Sequence, residues 1–210
     1  MSASLDLAAL LDVSAAPPVR PRLDLRTGLL AAGVVAPPAL GALARTLREA
    51  RRAWSQSGCA APLSLVAPPD AMERLEADDF DDIAREAGCK THLLTFELDE
   101  RALIRRGPAL AERLRARGWG VALRGDPECP LPLGQRARAI YTELVLDPPS
   151  PLDPFLALDA RDRTPLGQRI FAARYAGILL TARSASQEDA RLLAAMGFDR
   201  AGGPCAIDTF

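Results

Sequence analysis

Asparagine is absent from this chain, lysine occurs once, at Lys90, and histidine once, at His92. A divalent-cation enzyme draws on carboxylates and side-chain amides as hard oxygen donors, and of the two amide side chains only glutamine is available here. Lys90 precedes an apolar run instead of ending one. With one histidine, a Ser–His–Asp or Cys–His site would have to be built around His92, and no G-x-S-x-G turn accompanies it. The four cysteines, Cys59, Cys89, Cys129 and Cys205, are scattered, and none pair at C-x-x-C spacing. Clustered thiolates for a zinc centre are therefore lacking, and Cys89 with His92 makes at most a half-site. The thiols read as free in a reducing cytoplasm, and His92, at the start of Leu93-Leu94, as a packing residue at a strand end. No stretch approaches the roughly 20 apolar residues of a membrane span. The first residues lack the basic start and apolar run of a signal peptide, so a cytoplasmic location is expected. Twenty-six basic residues against 27 acidic ones give a net charge of −1, which calls for neither nucleic acid nor an anionic membrane as partner.

What is present is an ordinary globular composition, 49% hydrophobic and 25% charged over 210 residues, enough for one domain with a sizeable core. Residues 1–16 form an extension in which Leu5, Leu7, Leu10 and Leu11 fit a short amphipathic helix stopped by Pro17-Pro18; residues 17–210 form the body. The alternation over 19–25 predicts a strand, Arg26-Thr27-Gly28 a turn, and 29–35 the returning strand of a hairpin. A helix follows over 40–55, with Leu40, Leu43, Leu47 and Trp54 on one face. Strands are then expected over 62–67, 93–98, 120–123, 141–146 and 178–181, with a last one near Phe198. Helices are expected over 70–88 with a break near Ala77, and over 99–117, 133–139, 165–176 and 186–196. Gly118, Gly177 and Gly197 close three of them. The run Asp78-Asp79-Phe80-Asp81-Asp82 reads as a solvated helix start, its acids at the positive end of the dipole. Strands read as apolar on both faces belong in a parallel sheet wrapped by helices. The pattern predicts an α/β (β/α)8 barrel opened by an antiparallel hairpin, with a doubly wound open sheet as the alternative. No G-x-G-x-x-G or G-x-x-x-x-G-K motif favours a nucleotide-binding open sheet.

Several segments carry a resemblance in order and spacing. Leu94-Thr95-Phe96-Glu97-Leu98-Asp99-Glu100 resembles the strand of the EAL cyclic di-GMP phosphodiesterases that ends in Glu-Ile-Thr-Glu. Leu23 to Gly28 resembles that family's opening strand and turn, Ala50 to Trp54 its first long helix, and Leu110 to Leu123 the helix and strand leading to its Asp-Asp-Phe-Gly motif. Thr142 to Asp147 resembles its Lys-Ile-Asp strand, and Leu192 to Asp199 its closing Gly-Cys-Asp corner. The resemblance covers about residues 19 to 205 and implies an EAL-like modified TIM barrel, truncated after the second strand, where little chain separates Val35 from Leu40. Active members of the family hold divalent metals at the barrel mouth, where strand C-termini deliver ligands.

The resemblance also implies what this chain has lost. The Glu-Ala-Leu position falls on Val34-Val35-Ala36, the asparagine ligand near Val66, the Asp-Asp pair on Arg124-Gly125, the lysine on Val145, the late Ala-Glu-Gly-Val-Glu on Thr181 to Ala185, and the closing glutamine on Gly202. Glu97, Asp147 and Arg124 are left as vestigial site positions, and an ion pair of Arg124 with Glu97 or Asp147 is expected to replace metal with guanidinium. The expectation is a pseudoenzyme with no catalytic residue, metal or cofactor: an EAL-like signalling protein that acts by binding an unidentified regulatory protein. The alternative is a non-hydrolysing cyclic di-GMP receptor using Arg124 or Arg183. A third reading gives Glu97, Asp99 and Glu100 acid–base work in another reaction, against the plainer one that Asp99 and Glu100 cap the next helix. Residues 1–16 and the proline-rich stretch 147–154 are candidate contact surfaces.

Overall fold

A computed structural model describes residues 19–37, 39–56, 58–125, 132–134, 136–149, 152 and 164–203. Eight strands close into a barrel in sequence order: β1 Arg20–Asp24, β2 Leu30–Val35, β3 Leu63–Val66, β4 Leu94–Asp99, β5 Gly120–Arg124, β6 Glu143–Leu146, β7 Leu179–Ala182 and β8 Arg200–Gly202. β1 runs antiparallel to both neighbours, β2 and β8, and every other pairing is parallel. The expected hairpin and barrel are both present, and the open sheet is excluded by closure.

Among the described residues the helices are α1 Leu43–Gln56, α2 Pro69–Arg74, α3 Ala77–Glu86, α4 Glu100–Arg106, α5 Ala109–Ala116, α6 Ala137–Ile140, α7 Pro165–Ala176 and α8 Gln187–Met196. The helix expected over 99–117 is two helices: Gly107, at φ +83°, and Pro108 interrupt it, since proline removes an N–H and glycine tolerates that φ. The break near Ala77 is real, and Glu76 and Asp79 form a capping box there. Thr164 and Ser186 cap α7 and α8 through their hydroxyls, the usual solution for orphan N–H groups. Gly177 and Gly197 end the same two helices in the left-handed region. The connection from β2 to α1 is short, with a single 3-10 turn at Leu40–Ala42.

The strands are not apolar on both faces. Side chains alternate along a strand, and the ladder registers put Leu63, Leu65, Leu94, Phe96, Leu98, Val121, Leu123, Leu144 and Leu180 on the outward face, where they are buried in the core. The inward face carries Arg22, Ser64, Glu97, Ala122, Glu143 and Thr181, which are also buried. The core of aliphatic and aromatic groups therefore lies between sheet and helices, while the barrel interior is small and polar. Phe96 packs edge-on against Phe80 of α3 at 4.3 Å between ring centroids and lies 5.2 Å from Trp119. Asp81, in the acidic run, accepts from the Trp119 indole N–H at 2.8 Å and pairs with Arg117. The run is thus more than a solvated helix start.

Gly33 marks a close approach. A Cβ there would come within 2.7 Å of Val19 and 2.9 Å of the Trp54 ring. Gly33→Ala is expected to cost about 1–3 kcal/mol by overpacking, read as a shift in the urea unfolding midpoint; an unchanged midpoint would show that the hairpin and α1 separate freely.

Candidate functional site at the barrel mouth

The C-terminal ends of β2 to β8 and the start of β1 surround a cavity of about 430 Å³ lined by Arg20, Arg22, Val34, Val66, Glu97, Arg124, Asp147, Arg183 and Gly202, among others. Val34, Val66, Glu97, Arg124, Asp147 and Gly202, aligned one by one in the sequence, thus converge. An adjoining cavity of about 490 Å³ shares Arg124, Asp147 and Arg183 and reaches Asp99, Arg101 and Val145.

Below the mouth lies a charge network that the sequence reading missed. Arg22, on β1, places Nη1 2.7 Å from Glu97 Oε1 on β4 and 3.3 Å from Glu143 Oε1 on β6. These strands are not neighbours, so the contacts cross the barrel interior. All three side chains are at most 3% exposed. Glu143 also accepts from the Thr181 hydroxyl and, at 3.3 Å, from Arg200 Nη1. The Arg22–Glu97 contact lacks hydrogen-bond alignment, and Arg22 Nε and Glu97 Oε1 are without hydrogen-bond partners among the described residues. Burial pushes the Glu97 carboxyl above the usual glutamate range; the Arg22 charge pulls it back and the Glu143 charge pushes it further up. The alternation Arg20-Pro21-Arg22 on a predicted strand was the available signal, since it sends both arginines to one face.

Arg124 pairs with neither Glu97 nor Asp147. Its Nη2 lies 3.1 Å from Asp99 Oδ2, because the β4–β5 register sets Asp99 beside Arg124. Asp147 pairs with Arg183 on the rim. The guanidinium between interior carboxylates is therefore that of Arg22. Asp99 also caps α4, accepting from Ala102 N at 3.1 Å. Glu100 does not cap the helix: it is fully buried and pairs with Arg169 of α7 at 2.6 Å. Glu97, Asp99 and Glu100 thus have separate environments, which gives the acid–base reading no common centre. His92 is exposed in a 3-10 turn, not packed, and Lys90 is exposed at the opposite end of β4 from the mouth. Cys59 and Cys89 are free and part-buried, and among the described residues no group of three or more His, Cys, Asp or Glu side chains is placed to hold a metal. Cys129, Cys205, residues 1–16 and half of the proline-rich stretch, residues 150, 151, 153 and 154, lie outside the described residues.

Solved structures share this fold. One is the PaMucR phosphodiesterase in complex with cyclic di-GMP, 15% identical, with a TM-score of 0.68 over 90% of this chain and 88% of that one. Another is the EAL domain of Mycobacterium smegmatis DcpA, 22% identical, TM-score 0.65, over 90% and 87%. A third is the EAL enzyme Bd1971 bound to cAMP and cyclic di-GMP, 11% identical, TM-score 0.62, over 96% of this chain and 63% of that one. This chain has the EAL-domain fold. It spans 53% of the length of the Klebsiella pneumoniae BlrP1 structures, solved with manganese or calcium and cyclic di-GMP. No family model matches the sequence, and no curated protein does. No helix among the described residues is long and apolar enough to cross a membrane.

The mouth of this EAL-like barrel does not suit a divalent cation. Hard cations take several oxygen ligands; here Val34, Val66 and Val145 offer none, and Arg124 brings a fixed positive charge. Glu97, the buried carboxylate of the cavity, faces the Arg22 guanidinium. Asp147, on the rim, is engaged by Arg183.

Proposed function

We propose that the chain is a degenerate member of the EAL family, a cytoplasmic signalling pseudoenzyme that does not hydrolyse cyclic di-GMP and acts by binding another protein. The observation that carries this reading is the Arg22 guanidinium set between Glu97 and Glu143 inside the barrel. Metal-assisted phosphodiester cleavage needs cations that activate water and screen the leaving oxygen. A guanidinium screens charge but has no open position for water and does not lower the pKa of a bound water as a metal does. Incubated with cyclic di-GMP and magnesium or manganese, the purified protein should leave the dinucleotide intact by chromatography. Turnover abolished by Glu97→Ala would overturn the reading.

A second reading, a non-hydrolysing receptor for cyclic di-GMP, is favoured by Arg20, Arg124 and Arg183 around the cavity, since guanidinium groups hold phosphate oxygens in pairs. Calorimetry with the metal-free dinucleotide distinguishes the two: absence of heat at high micromolar concentration rejects the receptor.

A further inference from the structure

We infer that the cationic barrel mouth is the docking site for an acidic peptide segment of the protein partner. This rests on the protein-binding reading above and gives the partner a chemistry.

The first support is charge. The cavity is lined by Arg20, Arg22, Arg124 and Arg183 against Glu97 and Asp147, four guanidinium groups to two carboxylates, in a chain whose net charge is −1. The lining thus carries an excess of cationic groups, and a concave site focuses its field. The second support is availability. Arg20 is exposed and has no ion pair among the described residues. Arg124 and Arg183 pair only at the rim, where Arg183 and Asp147 are each 53% exposed. Exposed pairs hold their partners weakly, so an incoming carboxylate exchanges with Asp147 at small cost. The third support lies deeper: Arg22 lines the cavity while almost fully buried, and its Nε has no acceptor. A buried donor left unmade is costly, and an acceptor from a ligand relieves that cost.

Two further features favour a peptide over a nucleotide. Pro21, Val34, Ala36 and Val66 give the cavity an aliphatic wall, which suits an aliphatic side chain next to an acid. Glu97 and Asp147 share the cavity, each beside an arginine of its own. A phosphate concentrates its negative charge close to Glu97, whereas a peptide in extended form spreads single charges along its length and sets them opposite separate arginines.

The test is selection of a displayed random heptapeptide library on the intact chain, followed by fluorescence anisotropy with the most enriched peptide. Enriched peptides should carry acidic residues beside aliphatic ones, and their binding should weaken as salt rises. The double variant Arg124→Ser with Arg183→Ser should bind at least about tenfold more weakly, and so should the peptide with glutamine in place of glutamate on the unaltered protein. Arg52→Ser, which lines neither cavity, should change affinity by less than about twofold. The peptide-side substitution keeps the test decisive if the double variant folds poorly, which circular dichroism reports. The proposal is overturned if no peptide is enriched, if enriched peptides lack acids, if the arginine variant binds them as well, or if metal-free cyclic di-GMP displaces them at lower concentration than the free peptide does. Hydrolysis of cyclic di-GMP would sink the function proposed above; loss of peptide binding without hydrolysis sinks only the docking site.

Discussion

Arg22→Leu should lower the thermal midpoint of this barrel by roughly 10 °C at neutral pH. Removing the guanidinium leaves Glu97 and Glu143 facing each other across the interior, 1% and 3% exposed, and breaking a buried ion pair from one side costs about 3–5 kcal/mol. Arg200 still reaches Glu143, but Glu97 loses its nearest cation. The pH dependence has a definite sign. Burial raises the folded-state pKa of Glu97 above its unfolded value, so the folded state binds more protons in the window between the two. Stability therefore falls as pH rises from the usual glutamate range through that raised value, and levels off above it. In Arg22→Leu the attraction that pulls the pKa back is gone, so the fall should be steeper and extend to higher pH. Adding Glu97→Gln to Arg22→Leu should restore part of the midpoint and flatten the dependence. Melting curves from acid to neutral pH check both, and a midpoint insensitive to Arg22→Leu would show that the interior network carries no stability. The double-mutant cycle isolates the pair itself.

Trp119→Ala is expected to cost about 3–5 kcal/mol, read from the urea midpoint at constant slope. The indole is fully buried beside Phe96 at 5.2 Å, and Phe96 lies against Phe80. Its removal empties the junction where α3, β4 and the start of β5 meet. Trp119→Phe should cost less, about 1–2 kcal/mol, because most of the volume remains while the hydrogen bond to Asp81 is lost. An alanine variant within about 0.5 kcal/mol of the parent would mean that the site collapses without a cavity.

The barrel was legible because short strand-like segments rich in apolar residues recur between helical stretches, the pattern of a sheet wrapped by helices. The hairpin was legible in the turn Arg26-Thr27-Gly28, where Asp24 accepts from the backbone N–H groups of Arg26 and Thr27. The inward-facing residues were harder. Glu97 stood out for its position in a family-like strand, but Glu143, Thr181 and Arg200 carry no local signal; they meet only because β6, β7 and β8 are adjacent in the closed sheet. Arg22 sits mid-strand on β1, and nothing local marks it as the partner of Glu97, which lies on the non-adjacent β4.

By itself the sequence determined the alternation of strands and helices, the break near Ala77, and which oxygen donors the chain could not supply. Those are properties of residue type and local spacing. Which guanidinium faces which carboxylate was decided by the tertiary structure alone. Closing the barrel brings strands far apart in the chain, β1, β4 and β6, to opposite sides of one narrow interior, and burial there converts ordinary charges into strongly coupled ones.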